Sequence, residues 1–374
     1  MGKIYLIGDS HIGLGYPNNT DKWEKVHKEY FSNFLIPFLK ENVTKDDIII
    51  HLGDLFDNRN VIPINLLNYG MDVVEEISKI APFHIIIGNH DLWSKSTSEI
   101  NSIRPFRYMP NVKIYDSTSI LEFNGIRILM MPYIENRLEQ IKIINENKDC
   151  DYLFCHSDLN GCKMHLTSVA HKNSDKIDIE DFKPFKKVRS GHIHIVSGNS
   201  QKNFKFVGSI FQMDRNDMGD QKGIFVIDTV DGSEQFFPNT ISPVFRKFTI
   251  KEEFDIEGLD EFKNSKDYID LTVSNNLLVS NRNLRRKLET LLEVGNFASV
   301  EYLDDIAKTE EEEIHREQSK MTEEELQVSI QLDYEEFIKK YIQDKKYDND
   351  KFRDGIMLEY DEIIRIYNEN YRNK

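Results

Sequence analysis

The chain has 374 residues with a net charge of −16, and 39% of its residues are hydrophobic against 30% charged. This composition is typical of a globular protein with a large core and more than one domain. No stretch approaches the roughly 20 apolar residues of a membrane-spanning helix, which argues against a membrane protein. Residues 301–336 carry a net −11 of the total, so only −5 is left for the other 338 residues. A DNA substrate is therefore not excluded by the acidic total.

Three cysteines, Cys150, Cys155 and Cys162, are too few for a disulfide framework, and their spacing matches no zinc motif. They predict ordinary thiols in a reducing compartment. The stretch from Met1 to Tyr5 runs straight into a predicted strand and leaves no room for a cleavable signal. We therefore expect a cytoplasmic protein.

The first 110 residues alternate between strands and helices. Apolar runs predict strands at 3–8, 48–52 and 83–87, and helical spacing predicts helices at 21–40 and 65–79. Pro37 lies late enough in the first helix to end or kink it. This order predicts a parallel sheet with right-handed crossovers, in which ligands bind beyond the carboxyl ends of the strands.

After residue 110 the strands become shorter and are separated by Gly, Asn and Asp. A helix is predicted at about 135–146, and Asn124-Gly125 predicts a hairpin turn. The predicted strands lie at 112–115, 120–123, 126–130, 151–155, 187–189, 204–207, 223–227 and 235–237. The first 240 residues thus predict an α/β fold of two sheets packed face to face, with helices outside.

The composition shifts beyond Pro243. Strands at 245–250 and 268–273, around a short helix at 257–263 and followed by a helix at 281–294, predict a small α+β domain. The arginines at 282–286 are candidates for DNA phosphate contacts, and a solvated helix face is the alternative.

The acidic stretch that follows predicts a linker or an exposed helix. Helical patterns at 323–344 and 353–370 come last, and the second has an apolar face that predicts a partner or packing on the chain's own body. The predicted domains are 1–243, 244–306, 307–322 and 323–374.

Five of the predicted strands end in Asp, Asn or His. Each motif alone is a weak signal, because such residues usually make turns or structural contacts. Their repetition at strand ends is harder to obtain by chance. The candidate metal ligands are Asp9, His11, Asp54, Asn89, His156, His192 and His194. Oxygen and imidazole ligands without thiolate, in a number sufficient for two ions, predict a two-metal phosphoester hydrolase. The remaining histidines, including His27, His51 and His84, are predicted to be structural.

The ordered motifs resemble those of the calcineurin-like metallophosphoesterases. Within that superfamily, Asp9-Ser10-His11-Ile12-Gly13, Gly53-Asp54-Leu55-Phe56-Asp57, Gly88-Asn89-His90-Asp91, Gly208-Ser209 and Lys222–Ile227 resemble the SbcD-type DNA repair nucleases. That group includes the T-even phage recombination nuclease subunits and the eukaryotic and archaeal break-repair nucleases. The motifs cover residues 9–227, and resemblance beyond about residue 245 rests on layout alone.

The resemblance implies a two-sheet metallophosphoesterase sandwich with a DNA-binding capping domain and C-terminal helices. One ion would bind Asp9, His11 and His194, and the other Asn89, His156 and His192, with Asp54 bridging. His90 would act on the phosphate or the leaving oxygen, and Asp91 would orient its ring. Asp158 is predicted to be either a support for a metal ligand or a turn residue.

The same resemblance implies Mn²⁺, with Mg²⁺ as the alternative, and exonuclease and endonuclease activity in double-strand-break processing. It also implies a homodimer in the cytoplasm of a bacterial or phage-infected cell, joined through its C-terminal helices to an SbcC-type coiled-coil ABC ATPase. The chain contains no Gly-x-x-x-x-Gly-Lys-Ser/Thr motif, so ATP hydrolysis would belong to that partner. Two alternatives remain open: a phosphatase or phosphodiesterase acting on other substrates, and a mainly structural assembly subunit.

Overall fold

The structure is a computed structural model that describes residues 2–15, 20–94, 97–164, 166, 168, 173, 175–198, 203–251, 265–274, 277, 281–294, 297–303 and 360. The chain divides into two compact units, Met1–Val273 with Asn281–Glu301, and Ser274–Ser280 with Tyr302–Lys374. The predicted helix at 257–263 and linker at 307–322 lie outside the described residues, as do the predicted C-terminal helices apart from Tyr360.

Five α-helices have bounds that the structure gives. They are α1 (Thr20–Tyr30), α2 (Ile36–Asn42), α3 (Ile64–Ser78), α4 (Arg137–Glu146) and α5 (Arg282–Val294). The strands of the first half of the chain are β1 (Lys3–Ile7), β2 (Ile48–His51), β3 (Phe83–Ile86), β4 (Leu92–Ser94), β5 (Thr97–Asn101), β6 (Val112–Tyr115), β7 (Ser119–Phe123), β8 (Ile126–Met131) and β9 (Tyr152–His156). The later strands are β10 (Lys187–Gly191), β11 (Ser197–Gly198), β12 (Phe204–Phe206), β13 (Gly223–Asp228), β14 (Glu234–Pro238), β15 (Phe245–Ile250), β16 (Tyr268–Ser274) and β17 (Phe297–Leu303).

Two six-stranded sheets dominate the first unit. The first has the order β14-β13-β1-β2-β3-β6, and the second has the order β11-β12-β10-β9-β8-β7. Strands β1, β2, β3 and β6 run parallel, as do β8, β9, β10 and β12. The antiparallel pairs are β13 with β1 and β14 at one edge of the first sheet, and β11–β12 and β7–β8 at the two edges of the second. The predicted α/β architecture of two sheets with helices is confirmed. A third, smaller sheet has the order β15-β16-β17.

Alternate residues of β1 serve two different cores. Ile4 and Leu6 pack in a cluster that includes Met130 and Phe154 of the second sheet, so this cluster lies between the sheets. Tyr5 and Ile7 belong to a cluster with apolar side chains of α1, α2 and α3 on the outer face. A third cluster joins the outer face of the second sheet to α4. Burial of both faces explains the uninterrupted hydrophobic runs of these strands.

The predicted helix at 21–40 is interrupted. The segment Phe31–Leu35 forms a π-helical turn between α1 and α2, and Pro37 lies in the first turn of α2. Proline has no N–H to donate and its ring clashes with the preceding turn, so it is tolerated at the start of a helix but not in its interior. Pro37 thus lies just after the π-helical turn, where the new helix α2 begins.

Four strands, β4, β5, β11 and β17, were not predicted from the sequence. Strands β4 and β5 form a two-stranded antiparallel pair directly after Gly88-Asn89-His90-Asp91. Only one of the eight side chains of β4 and β5 is buried, so the segment lacks the apolar pattern by which buried strands are recognised. Among the described residues, no helix is long and apolar enough to cross a membrane.

Candidate metal centre

The structure brings all seven predicted ligands to one place, at the carboxyl ends of strands from both large sheets. Asp9 lies two residues after β1, and His156 is the last residue of β9. The loops that carry these residues are bonded to one another. The backbone N–H groups of Ser10 and His11 both donate to the carbonyl of Asp54, at 3.0 Å each. The backbone N–H of His192 donates to the Asp9 carboxylate at 2.9 Å.

Three of the predicted ligands have left-handed backbone conformations. The φ angles are 45° at His11, 55° at Asp54 and 82° at His192, and only two other non-glycine residues of the described chain have positive φ. Such conformations are costly for residues with a Cβ and persist where the surrounding structure enforces them, often at functional sites. The strand exits are therefore bent to direct these side chains inward.

Two glycines allow the loops to approach this closely. A Cβ added at Gly88 would lie 2.3 Å from the backbone nitrogen of Asp54. At Gly53, where φ is +103°, a Cβ would lie 2.4 Å from Nδ1 of His156. Both distances are far below van der Waals contact, so a side chain at either position would push Asp54 or His156 away from the centre.

The first cluster consists of Asp9, His11 and His194. One ligand atom from each lies within 4.8 Å of the others. The Nε2 atoms of His11 and His194 are 3.1 Å apart, and Nε2 of His194 is 3.8 Å from Oδ2 of Asp9. Three donors at these distances surround a space suited to one ion.

The second cluster consists of Asp54, His156 and His192, whose ligand atoms also lie within 4.8 Å of one another. Oδ1 of Asn89 belongs to the same group, at 3.0 Å from Nε2 of His156 and 2.6 Å from Nδ1 of His192. Asp54 connects the two clusters. Its Oδ2 atom is 3.2 Å from Nε2 of His156 and 3.7 Å from Nε2 of His11.

The hydrogen bonds around the clusters leave lone pairs pointing inward. Nδ1 of His156 is 2.7 Å from the carbonyl of Leu52, so it carries the proton and donates it there. Nε2 of the neutral ring is then a lone pair, and it faces the oxygens of Asp54 and Asn89. Lone pairs that converge on one another repel unless a cation lies between them. This donor set, all oxygen and imidazole nitrogen, fits divalent metal ions of intermediate hardness.

The pKa values also indicate that the two clusters lack positive charge. Burial raises the pKa of Asp9 to about 6, although His156 opposes the shift. Burial disfavours the charged form of His11, but the hydrogen bond to Asp57 and the charge of Asp54 outweigh it and raise its pKa to about 9. The same balance, with Asp54 as the main partner, raises the pKa of His156 to about 9. Divalent cations would replace the protons that these imidazoles otherwise hold.

The environment of His90 corrects one expectation. Its Nδ1 lies 2.5 Å from the backbone carbonyl of Asp57, which fixes the ring. The Asp91 carboxylate instead accepts backbone N–H bonds from Gly88, at 2.9 Å, and from the turn that carries Asp54, at 2.9 Å. Asp91 therefore does not orient the His90 ring. His90 and Asp91 are neighbours in sequence, but the buried Asp91 carboxylate accepts hydrogen bonds from N–H groups of the adjoining turn that would otherwise be unpaired.

Three supporting residues complete the surroundings of the ligands. Oδ1 of Asp57 lies 3.0 Å from Nδ1 of His11, an interaction that the sequence analysis did not assign. Oδ1 of Asp158 lies 2.5 Å from Nε2 of His192, and its other oxygen lies 2.6 Å from Nζ of Lys176. Of the two predictions for Asp158, support of a ligand is the one that these contacts favour. Asp57 follows a ligand motif closely enough to be found, whereas no local pattern identifies Lys176.

The histidines predicted to be structural behave accordingly where they are described. Nε2 of His51 is 2.8 Å from the hydroxyl of Ser10, and Nε2 of His27 is 2.7 Å from the carbonyl of Ser10. Both rings therefore hold in place the loop after β1 that carries Asp9 and His11. His84 bonds the hydroxyl of Tyr115 at 2.9 Å.

Comparison with known proteins agrees with this geometry. The sequence profile of the family described as calcineurin-like phosphoesterase matches residues 2–196. Exonuclease subunit 1 of Enterobacteria phage T4 is 28% identical over 248 residues, which are 63% of this chain and 68% of that protein. Putative phosphoesterase 244L of Invertebrate iridescent virus 6 is 28% identical over 216 residues, 56% of this chain and 70% of that protein. A subunit of the nuclease SbcCD from Staphylococcus epidermidis is 23% identical over 280 residues, 65% of this chain and 72% of that protein.

Proposed function

The chain belongs to the calcineurin-like phosphoesterases, and from that premise we propose that it is a two-metal-dependent DNA nuclease acting in double-strand-break processing. The observation that carries hydrolysis is the convergence of seven oxygen and nitrogen ligands in two clusters that share Asp54. The choice of DNA is supported by two relatives whose names are exonuclease and nuclease.

In this proposal Asp9, His11 and His194 hold one ion, and Asn89, His156 and His192 hold the other. Asp54 lies between the two groups and would ligate both ions. The ions, Mn²⁺ or alternatively Mg²⁺, would supply an activated hydroxide and charge neutralisation at the phosphate. The backbone of this chain does the positioning, through the bonds that tie the Asp9 and Asp54 loops together.

His90 acts on the substrate and is not a metal ligand. Because Nδ1 of its ring donates to the carbonyl of Asp57, Nε2 is the atom left to face the phosphate. Burial lowers the pKa of His90, although the charge of Asp54 opposes the shift. An approaching anionic phosphate favours the protonated ring, which then donates a proton at Nε2 to the leaving oxygen.

The first prediction concerns this histidine. In His90→Ala, Mn²⁺-dependent degradation of linear duplex DNA should fall by about 10²–10⁴-fold, the usual contribution of a general acid. Metal content, measured by mass spectrometry, should stay at two ions. His84→Gln is the matched control, because His84 bonds Tyr115 and touches none of the predicted ligands, and it should retain full activity.

Three results would decide against these assignments. Persistence of wild-type activity in His90→Ala would reject its role. If the chain cleaves only small phosphoesters even with its partner present, the phosphatase or phosphodiesterase alternative is correct. Absence of both activities in a chain that binds two ions would leave the assembly-subunit alternative.

The proposal includes a partner and a dimer. The C-terminal segment 323–374 would bind an SbcC-type coiled-coil ABC ATPase, and the complex would work in the cytoplasm of a bacterial or phage-infected cell. The support is the apolar pattern of residues 353–370 and the name of the SbcCD relative.

The second prediction follows from that segment. Deletion of residues 323–374 should abolish co-purification with the ATPase and leave Mn²⁺-dependent DNA cleavage by the isolated chain, because all predicted ligands lie before residue 195. Unchanged co-purification of the truncated chain would refute the role of the segment.

A further inference from the structure

A buried charged cluster of Lys222, Asp217 and Asp220 lies directly behind the loop of His194. Lys222 is 4% exposed, Asp217 3% and Asp220 7%. Lysine is among the residues that are almost never buried unless they are paired. Here Nζ of Lys222 lies 2.8 Å from Oδ1 of Asp217 and 2.7 Å from Oδ2 of Asp220. The third interaction of the ammonium group is a hydrogen bond to the backbone carbonyl of His194, at 2.6 Å.

The cluster holds the loop at His194 and again two residues after it. The His194 carbonyl also accepts the backbone N–H of Ser209 at 2.9 Å. Two residues further on, the backbone N–H of Val196 donates to Oδ2 of Asp220 at 3.0 Å. The backbone of this short segment is therefore fixed at two successive points by the same charged group.

His194 depends on its backbone more than the other predicted histidine ligands do. The second ring nitrogen of His11 is held by Asp57, that of His156 by Leu52 and that of His192 by Asp158. Within the described part of the chain, Nδ1 of His194 has no such hydrogen-bond partner, and its side chain is 32% exposed. No described residue orients this imidazole through its second nitrogen, so among the described contacts its support comes from the main chain.

We infer that Lys222 is a positioning residue that holds the main chain of His194 so that the imidazole presents Nε2 to the ion shared with Asp9 and His11. This inference rests on the proposed function, in which His194 is a metal ligand. The competing view is that Lys222 only neutralises two buried carboxylates and stabilises the fold. The two views differ in what they predict for ion binding.

Substitution of Lys222 by methionine removes the hydrogen bond to His194. In Lys222→Met, one of the two Mn²⁺ ions should bind about 10–100-fold more weakly, the usual effect of losing a support behind a ligand, while the other keeps its affinity. Titration calorimetry measures the two affinities. Electron paramagnetic resonance should show the signal of a single Mn²⁺ where the full-length wild-type chain gives a spin-coupled pair.

Methionine also leaves Asp217 and Asp220 without a countercharge, which is strongly destabilising in a buried site. The triple variant Lys222→Met, Asp217→Asn, Asp220→Asn removes all three charges and should recover much of the lost thermal stability. Because it still lacks the donor to His194, its ion affinity should remain reduced. Glu234→Gln is the control. It breaks a different buried ion pair, with Arg189, and should lower the unfolding temperature without changing the affinity for either ion.

His194→Ala separates failure of the inference from failure of the proposed function. If His194→Ala loses one ion while Lys222→Met and the triple variant bind both with wild-type affinity, the role of Lys222 is rejected and the ligand set stands. If His194→Ala itself binds two ions with wild-type affinity, the proposed ligand set is wrong.

Discussion

The histidines proposed to ligate the ions differ in how firmly neighbouring side chains hold their rings in place. His192 is the clearest case, because Nε2 of its ring faces Asp158 at 2.5 Å and Asp158 is in turn paired with Lys176. Burial opposes the charge of Asp158, yet its hydrogen bond to His192 and the charge of that ring hold its pKa well below the usual range. A carboxylate in this position fixes the tautomer of the ring and increases the basicity of Nδ1.

The third prediction tests that contact. Asp158→Asn should weaken binding of the ion at Asn89, His156 and His192 by about 10–100-fold, because a neutral amide supports the imidazole less well than a carboxylate does. Calorimetric titration with Mn²⁺ measures the effect. The matched control is Asp151→Asn, which breaks an ion pair with Lys186 elsewhere and should bind both ions normally. Equal affinities in the two variants would show that Asp158 is only a turn residue.

At the scale of elements, the buried strands that end at the site hold its ligands in place. Strand β2 lies between β1 and β3 in the first sheet, and all four of its residues are buried. Its exit carries Gly53 and Asp54 into the centre. A ligand that bridges two ions must keep its position, and a strand packed on both faces provides that support.

The fourth prediction concerns this strand. Ile50→Ala should lower the free energy of unfolding by about 2–5 kcal/mol, because it opens a cavity in the core between the two sheets. Urea denaturation measures the change. Ile64 is 76% exposed at the start of α3, so Ile64→Ala should change stability by less than about 0.5 kcal/mol. A loss as small in Ile50→Ala as in the control would mean that the core between the sheets is loosely packed.

For the whole molecule, the charge of the metal-free centre ties stability to pH. The pKa values of His11 and His156 are raised to about 9 in the folded chain, from an ordinary value of 6.5. Their protonated forms therefore stabilise the folded state. This contribution is fully present below about pH 6.5 and is lost as the pH rises through about 9.

The fifth prediction is a difference between two forms of the protein. The chelator-treated chain should lose stability in denaturant titrations between pH 6.5 and 9. The Mn²⁺-loaded chain should keep a nearly constant stability over the same range, because its imidazoles bind metal instead of protons and those of the unfolded chain have already lost their protons. His84→Gln should leave both trends unchanged, since burial lowers the pKa of His84 to about 4, outside this range. Metal-free stability that stays constant or rises would contradict the charge balance described for the centre.

Prediction from sequence succeeded where the signal was local and failed where a contact joins distant segments. The seven candidate ligands could be found because each lies within a few residues of a recognisable strand end. The role that the resemblance implied for Asp91, orientation of the His90 ring, is wrong, because its carboxylate bonds a turn more than thirty residues earlier. Strands β4 and β5 were missed because their side chains are largely unburied and carry no periodic apolar pattern.

The sequence by itself determined the α/β class, the alternation of strands and helices in the first 110 residues and the residue types at the strand ends. Hydrophobic periodicity and short motifs are properties of neighbouring residues, so they can be read without a structure. Only the tertiary structure decided which groups orient the rings of the site: the Asp57 carboxylate for His11, Asp158 for His192 and the Asp57 backbone carbonyl for His90. It also placed Lys222 behind His194. These contacts depend on how the loops of two sheets meet, and hydrogen-bond geometry between distant segments leaves no periodic trace in the chain.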